Sequence, residues 1–429
     1  MEDRRVLAPF VVTNTDDLPV AAANDAPGTL RQAIFDANNS SGVDTIEFNL
    51  AFPATIVLDE GQLAVTQSVH INGPGAELLA IDASGNDTTP TQNEGNGSRI
   101  FEFVGPNAID ATISGLKLRG GDEFDDGGAI WLADALTISD CVLTDNAATS
   151  GGAIFVSQSS TLNVVRTLID TNYAFGSGGG IFAESDTTTI ISDSEISNNR
   201  AGNESNIGGQ HGGGISVTSV GLHPPSNLIV ARSLIDGNSA PHGIGGGIFY
   251  QNFGPGQGVL EIRESRITNN LANDGTYYAI PNADPAILPG GGGVYAYSDG
   301  SVLITHSTID NNHAFGRGGG LDLNDSSATI INTTISSNES MEGGGVWASN
   351  ALFKHCTITL NRAGIEPAET FVDDYPKTFG GAGGLHIGWV GGGVTAGTVL
   401  DHTIVAGNFH DWDPGQEWLD ISSVPTFSR

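Results

Sequence analysis

Aliphatic and polar residues alternate along most of this chain in short runs, and the runs themselves recur. A set of asparagines gives the register: Asn146, Asn172, Asn199, Asn238, Asn270, Asn312, Asn338 and Asn361. Three residues before each stands an aliphatic: Leu143, Ile169, Ile196, Ile235, Ile267, Ile309, Ile335 and Ile358. Eight before stand Ile138, Val164, Ile191, Val230, Ile262, Ile304, Ile330 and Phe353, and five before comes a small residue, from Cys141 and Thr167 to Thr333 and Cys356. Side chains alternate across a strand with period two, so positions five and three before the asparagine share one face, as do positions ten and eight. The odd step from eight to five breaks that alternation, and the chain must bend there.

A second mark completes the unit. It is a Gly-Gly-(Ala or Gly)-aliphatic element, seen at Gly127-Gly128-Ala129-Ile130, Gly151-Gly152-Ala153-Ile154, Gly178-Gly179-Gly180-Ile181 and Gly212-Gly213-Gly214-Ile215. It returns ahead of Ile248, Val294, Leu321, Val346, Leu385 and Val394, and the basic unit is about 23 to 27 residues before insertions. Short β-branched strands separated by bends and repeated in one register make a solenoid whose like residues stack. The predicted fold is all-β, a right-handed parallel β-helix. Its stacked aliphatics form one continuous interior, each contributing roughly 1.5–3 kcal/mol. The asparagines are expected to hydrogen-bond along their column, and the glycine pair to supply positive φ and close approach between coils.

Three segments are expected: residues 1–8 as the remnant of an export-type segment, 9–110 as an N-terminal cap with irregular coils, and 111–429 as regular coils. Insertions fall at 200–211, 271–290 and 362–380. In the cap, residues 9–20 read as a strand and polar turn, followed by a short helix with Leu30, Ala33, Ile34 and Ala37 on one face and Thr29 as its N-cap. That helix would cover the open end of the solenoid, where core and strand edges are otherwise exposed.

Composition narrows the partners. Sixteen Lys and Arg stand against 49 Asp and Glu, a net charge of −33, which disfavours nucleic acid and anionic membrane surfaces. No apolar run is long enough for a transmembrane helix. Cys141 and Cys356 occupy one column about seven coils apart, roughly 34 Å at ~4.8 Å per coil, too far for a disulfide. Six before the asparagine, Asp140, Arg166, Asp193, Arg232, Glu264 and His306 read as an outward charge ladder with a structural role.

These repeats resemble those of the polymorphic outer-membrane protein family. They are more similar still to bacterial surface proteins with right-handed β-helix repeats and a choice-of-anchor C-terminal region. The segments Val11-Val12-Thr13-Asn14-Thr15-Asp16-Asp17, Gly28-Thr29-Leu30-Arg31-Gln32-Ala33-Ile34 and Asp44-Thr45-Ile46-Glu47-Phe48 match that second group. The chain departs from the polymorphic proteins in carrying Ile, not Phe, three before the Asn. The resemblance implies a secreted or cell-surface bacterial protein, often adhesive, and this chain is expected to be part of a longer one.

Candidate chemistry gathers where the coil is interrupted. The long insertions all leave the same corner, so they should cluster along one edge. They carry Tyr277, Tyr278, Asp284, Phe371, Asp373, Asp374 and Tyr375, and aromatics beside carboxylates suit carbohydrate stacking with hydroxyl recognition. The expected partner is an extracellular polysaccharide or another surface protein. No cofactor is required by the pattern. Calcium is the one candidate, at Asp122, Asp125 and Asp126, although the spacing of an EF-hand is absent. His402 and His410 with Asp411 and Asp413 lack metal-ligand spacing. The alternative is a polysaccharide lyase or glycoside hydrolase using Asp170, Asp236 and Asp310, which share the outward position two before the Asn on alternate coils. They would lie ~9.6 Å apart, at the edge of an inverting geometry. Thr144, Ser197, Thr268 and Ser336 fill the other coils, so the column reads as ordinary turn residues, and no Arg or Lys is evident beside it as a lyase base. A non-catalytic module is therefore the expectation.

Overall fold

The structure, a computed structural model, describes residues 9–89, 93–106, 108–202, 209–253, 256–273, 290–324, 326–364, 385–387, 398–410 and 426–427. Among these residues the chain winds into four parallel sheets of 14, 11, 12 and 9 strands, each built from one strand per coil. One coil illustrates the rest. Thr161–Val165 belongs to the 14-stranded sheet, Leu168–Asp170 to the 12-stranded, Tyr173–Ala174 to the 9-stranded and Ile181–Ala183 to the 11-stranded. The repeat register holds between coils: Leu162 pairs with Leu136 and Thr189, and Ile169 with Leu143 and Ile196. The solenoid of the sequence reading is the observed fold.

The predicted bend is a single residue in the left-handed conformation. Six before the asparagine, Asp140, Arg166, Asp193, Arg232, Glu264, His306, Asn332, His355 and His402 all have φ between 46° and 54°. A second left-handed residue precedes each asparagine directly: Asp145, Thr171, Asn198, Asn269, Asn311, Ser337 and Leu360, with φ from 52° to 57°. The third corner belongs to the first glycine of each pair, Gly151 and Gly178 among them at φ 61° and 69°. Its partner answers the need for close approach, since a Cβ on Gly152 would lie 2.3 Å from the Gly179 carbonyl oxygen. Leucine is poorly suited to a left-handed position, and Leu360 is also 55% exposed. Leu360→Asn, matching Asn198, Asn269 and Asn311 of the same column, is expected to raise stability by about 0.5–1 kcal/mol, read as a shift in denaturant midpoint.

Two polar ladders line the interior beside one aliphatic core that runs from Val12 to Leu400. In the first, each asparagine receives the backbone N–H and the side-chain amide of the asparagine one coil earlier: Asn172 onto Asn199 at 3.0 and 2.9 Å, Asn238 onto Asn270 at 3.0 and 3.0 Å. Each amide also donates to the carbonyl of the inward aliphatic on the preceding coil, as Asn270 does to Ile235 at 3.0 Å. The ladder continues one rung past the predicted set, from Asn361 to Asn408. The second ladder was not evident in the repeat. The small residues five before the asparagine are mostly hydroxyls that accept the backbone N–H of the same column one coil earlier, Thr167 N–H onto Ser194 and Ser194 N–H onto Ser233 at 3.1 Å each. Cys141 and Cys356 sit in that column, free and buried. Burial pushes the Cys141 thiol up to about 12, so it carries no reactive thiolate at neutral pH.

The 9-stranded sheet is also an addition to the sequence reading. Its strands are mostly two to five residues long, and an alanine column (Ala148, Ala174, Ala201, Ala240, Ala272, Ala314, Ala363) turns inward from it, fully buried. At the N-terminus the helix Leu30–Asn38 forms as expected, with Thr29 accepting the Gln32 N–H and Leu30, Ala33, Ile34 and Ala37 buried. Arg31 clamps it to the first coils. The guanidinium forks onto Asp17 at 2.7 and 2.8 Å and donates to the Gly61 and Gln62 carbonyls, while Asp17 also accepts the Asp59 and Glu60 N–H groups. Where the cap gives way to regular coils, the strands Asp110–Ser114 and Lys117–Arg119 are divided by Gly115 at φ 61°. Among the described residues no helix is long and apolar enough to cross a membrane.

Candidate functional site

The residue that follows the aliphatic of each Gly-Gly element points outward from the 11-stranded sheet. In register these residues are Trp131, Phe155, Phe182, Ser216, Phe249, Tyr295, Asp322 and Trp347. At ~4.8 Å per coil the column is about 34 Å long. Phe155 stacks on Phe182 and Phe249 on Tyr295, each with ring centroids 5.4 Å apart, and the His211 ring stacks on Phe249 at 4.5 Å. Trp131 and Phe182 are partly exposed, whereas Phe249, Tyr295 and Trp347 are buried.

Asp322 interrupts this aromatic column. It is fully buried, and neither carboxylate oxygen receives a hydrogen bond. Among the described residues the nearest cation is Arg317, whose Nε lies 3.5 Å from Oδ2 without bonding it and whose guanidinium sits 4.0 Å above the Trp347 ring. Arg317 pairs in register with Glu342 on the 9-stranded sheet, and its charge opposes the rise of both acids. Burial pushes Asp322 up to about 6, with Arg317 opposing and the Glu342 charge adding to the rise. Burial raises Glu342 as well, again opposed by Arg317. The Tyr295 phenol is driven upward by burial and then by the Asp322 charge. Gly290 packs directly against the carboxylate, since a Cβ there would fall 2.2 Å from Oδ2. Gly290 is the first described residue at the end of the predicted 271–290 insertion.

The sequence-predicted residues fall in three places. Tyr277, Tyr278, Asp284, Phe371, Asp373, Asp374 and Tyr375 lie outside the described residues. Asp122 accepts the N–H groups of Glu94 and Gly95 at 3.1 and 3.0 Å, Asp126 bonds Ser150, and Asp125 is exposed. Asp122 and Asp126 therefore serve separate partners. Burial raises both Asp122 and Asp126 above the usual carboxylate range. His402 leans on Asp401 and packs beside His355, ring to ring at 5.2 Å, while Asp411 and Asp413 are not among the described residues.

Asp170, Asp236 and Asp310 do stand on alternate coils, separated by Ser197 and Thr268. Each is engaged. Asp170 accepts Ser197 Oγ and Asn198 Nδ2 at 3.0 and 2.8 Å, Asp236 accepts Asn269 Nδ2 at 2.7 Å, and Asp310 takes a two-pronged bond from Arg266 at 2.9 and 2.6 Å. A guanidinium thus stands beside this column where the sequence suggested none. It borders a shallow groove of about 700 Å³ lined by Arg166, Asp193, Arg232, Glu264, Arg266 and His306 together with Leu168 and Leu234. The predicted charge ladder is real within it: Arg166 forks onto Asp140 and Arg232 onto Asp193. Those hydrogen bonds hold Asp140 and Asp193 below the usual carboxylate range, which keeps them ionised and removes them as proton donors.

The aromatic column lies outside the aliphatic and asparagine periodicity that marks the repeat. Its signal is nonetheless in the sequence: one residue after each post-glycine aliphatic, an aromatic recurs, and between Trp131 and Trp347 the single carboxylate is Asp322.

This architecture defines a right-handed β-helix protein. Residues 56–280, just over half of the chain, match the family described as a right-handed beta helix region, and the chain belongs to it. None of the curated proteins compared with it matches. Among solved structures it is similar to the A-module of the Azotobacter vinelandii mannuronan C-5 epimerase, at 14% identity over 93% of this chain and 95% of that one, TM-score 0.45. It is also similar to ORF18 of Geobacillus virus E2 at 12% identity over 81% of this chain, TM-score 0.39, spanning 57% of the viral protein's length. The Streptococcus pneumoniae surface adhesin PfbA is a third, at 12% identity over 76% of this chain and 84% of that one, TM-score 0.33.

Proposed function

We propose that this chain is a secreted or cell-surface module that binds a neutral polysaccharide along the outward face of its 11-stranded sheet. The observation that carries the reading is the in-register column of aromatic rings broken by a carboxylate. Rings offer flat apolar faces to sugars, and unpaired polar groups between them suit hydroxyls. A polymer fits the site's length, and the net charge of −33 argues against a polyanionic one. Tyr277, Tyr278, Asp284, Phe371, Asp373, Asp374 and Tyr375, on insertions that leave the bordering corner, are proposed to extend the same surface. Calcium, where it contributes, would act at Asp122, Asp125 and Asp126. The lyase or hydrolase alternative is less favoured because Asp170, Asp236 and Asp310 are already hydrogen-bonded within the coil.

Retention on immobilised neutral polysaccharides tests the reading, run with calcium and with chelator. Trp131→Ala and Phe182→Ala remove the two partly exposed rings and are expected to weaken retention about tenfold each, with the coil still folded. Release of reducing ends or unsaturated products from any member of the panel would replace the binding module with an enzyme.

A further inference from the structure

Asp322 has chemistry that a static binding face does not need. Its carboxylate is enclosed by Tyr295 and Trp347 on the flanking strands, Arg317 and Glu342 from the 9-stranded sheet, and the backbone of Gly290. The next charges along that sheet, His313, Glu339 and Arg362, answer one another: Glu339 lies 3.6 Å from each of the other two. Among the described residues that leaves Arg317 alone against two carboxylates. With both ionised, the cluster around the buried Asp322 carries one unbalanced negative charge, and Asp322 has no hydrogen bond to offset its desolvation. A proton removes that imbalance. The same cluster holds the buried half of the aromatic column, because Tyr295 and Trp347 touch it on either side and Phe249 stacks on Tyr295.

We propose that Asp322, Arg317 and Glu342 form an acid-closed latch on the glycan face. Protonated, the cluster stays packed and keeps Phe249, Tyr295 and Trp347 withdrawn. Ionised, it is driven toward water and turns those rings outward, so glycan is held at neutral pH and released in acid. The consequence for glycan rests on the binding reading above, but the latch has a readout of its own. Acrylamide quenching of Trp347, isolated by difference against Trp347→Phe, is expected to rise several-fold between pH 5 and pH 7.5. Asp322→Asn, neutral and nearly isosteric, should keep the pH 5 value throughout. On immobilised mannan and mixed-linkage β-glucan, wild-type retention should fall about tenfold from pH 7.5 to pH 5, while Asp322→Asn binds weakly at both. A flat quenching profile in the wild type, or an unchanged one in Asp322→Asn, overturns the latch even where glycan is retained. The expected quenching profile without retention on any neutral glycan supports the latch and overturns the glycan reading instead.

Discussion

Asn270→Ala is expected to lower the stability of the solenoid by about 3–5 kcal/mol, far more than the loss of one exposed amide. The reason lies in what the change strands. Asn270 Oδ1 accepts both the backbone N–H and the side-chain amide of Asn238, each at 3.0 Å. Its own amide reaches the backbone carbonyls of Ile235 and Thr268 at 3.0 and 2.8 Å and the side-chain Oδ1 of Asn312 at 2.9 Å. Alanine removes the acceptor for two buried donors, at about 1–3 kcal/mol each, and leaves a void in a close-packed column. Neither donor can turn to water, because Asn238 and Asn270 are both fully buried. Asn269→Gly, one residue earlier but exposed and left-handed, should change stability by less than about 1 kcal/mol. Denaturant midpoints for the two variants decide the matter. Similar losses at 269 and 270 would mean that the ladder adds little beyond backbone pairing.

What could be read in the sequence follows from how each feature is encoded. The coil, its aliphatic core, the asparagine column and the glycine corner each depend on one residue type at one position, so repetition exposes them. Thr29 and the apolar face of the capping helix were legible for the same local reason. The 9-stranded sheet was not, since strands as short as Ala147–Ala148 are too brief for alternation to register. The left-handed positions hid for a different cause. Asp140, Arg166, His306 and His402 share a backbone conformation imposed by packing on both sides, and no common side chain marks it. The hydroxyl ladder was read as small residues because cysteine stands in for serine at both Cys141 and Cys356. Asp322 was overlooked because its meaning is contextual. An aspartate after a leucine looks like an outward polar residue, and only the rings stacked above and below it make the position a buried one.

That burial gives Asp322→Asn an unusual expected sign: the variant should be more stable than the wild type at neutral pH. In the unfolded chain the carboxyl titrates near its ordinary value of 3.8, whereas in the folded coil burial holds it at about 6. Below pH 4 both states are protonated and the group is silent. As pH rises from about 4 to about 6 the unfolded state releases its proton first, so folding loses ground, and the loss is complete once the folded carboxyl has ionised. Each pH unit across that gap is worth about 1.4 kcal/mol, giving a penalty of about 3 kcal/mol at pH 7. Asparagine removes the penalty and leaves Arg317 balanced by Glu342 alone. The general repulsion of a chain with net charge −33 acts on both proteins, so the difference between their denaturant midpoints at pH 4 and pH 7.5 isolates the one group. Amide exchange within Val294–Ser298, Leu321–Asn324 and Val346–Ala348 localises it, because coils stacked in a solenoid can open in part. A variant no more stable than wild type at pH 7.5 would mean that Asp322 is not carrying an unpaired charge. The latch would then have nothing to drive it, while the aromatic column and its claim on glycan would stand unchanged.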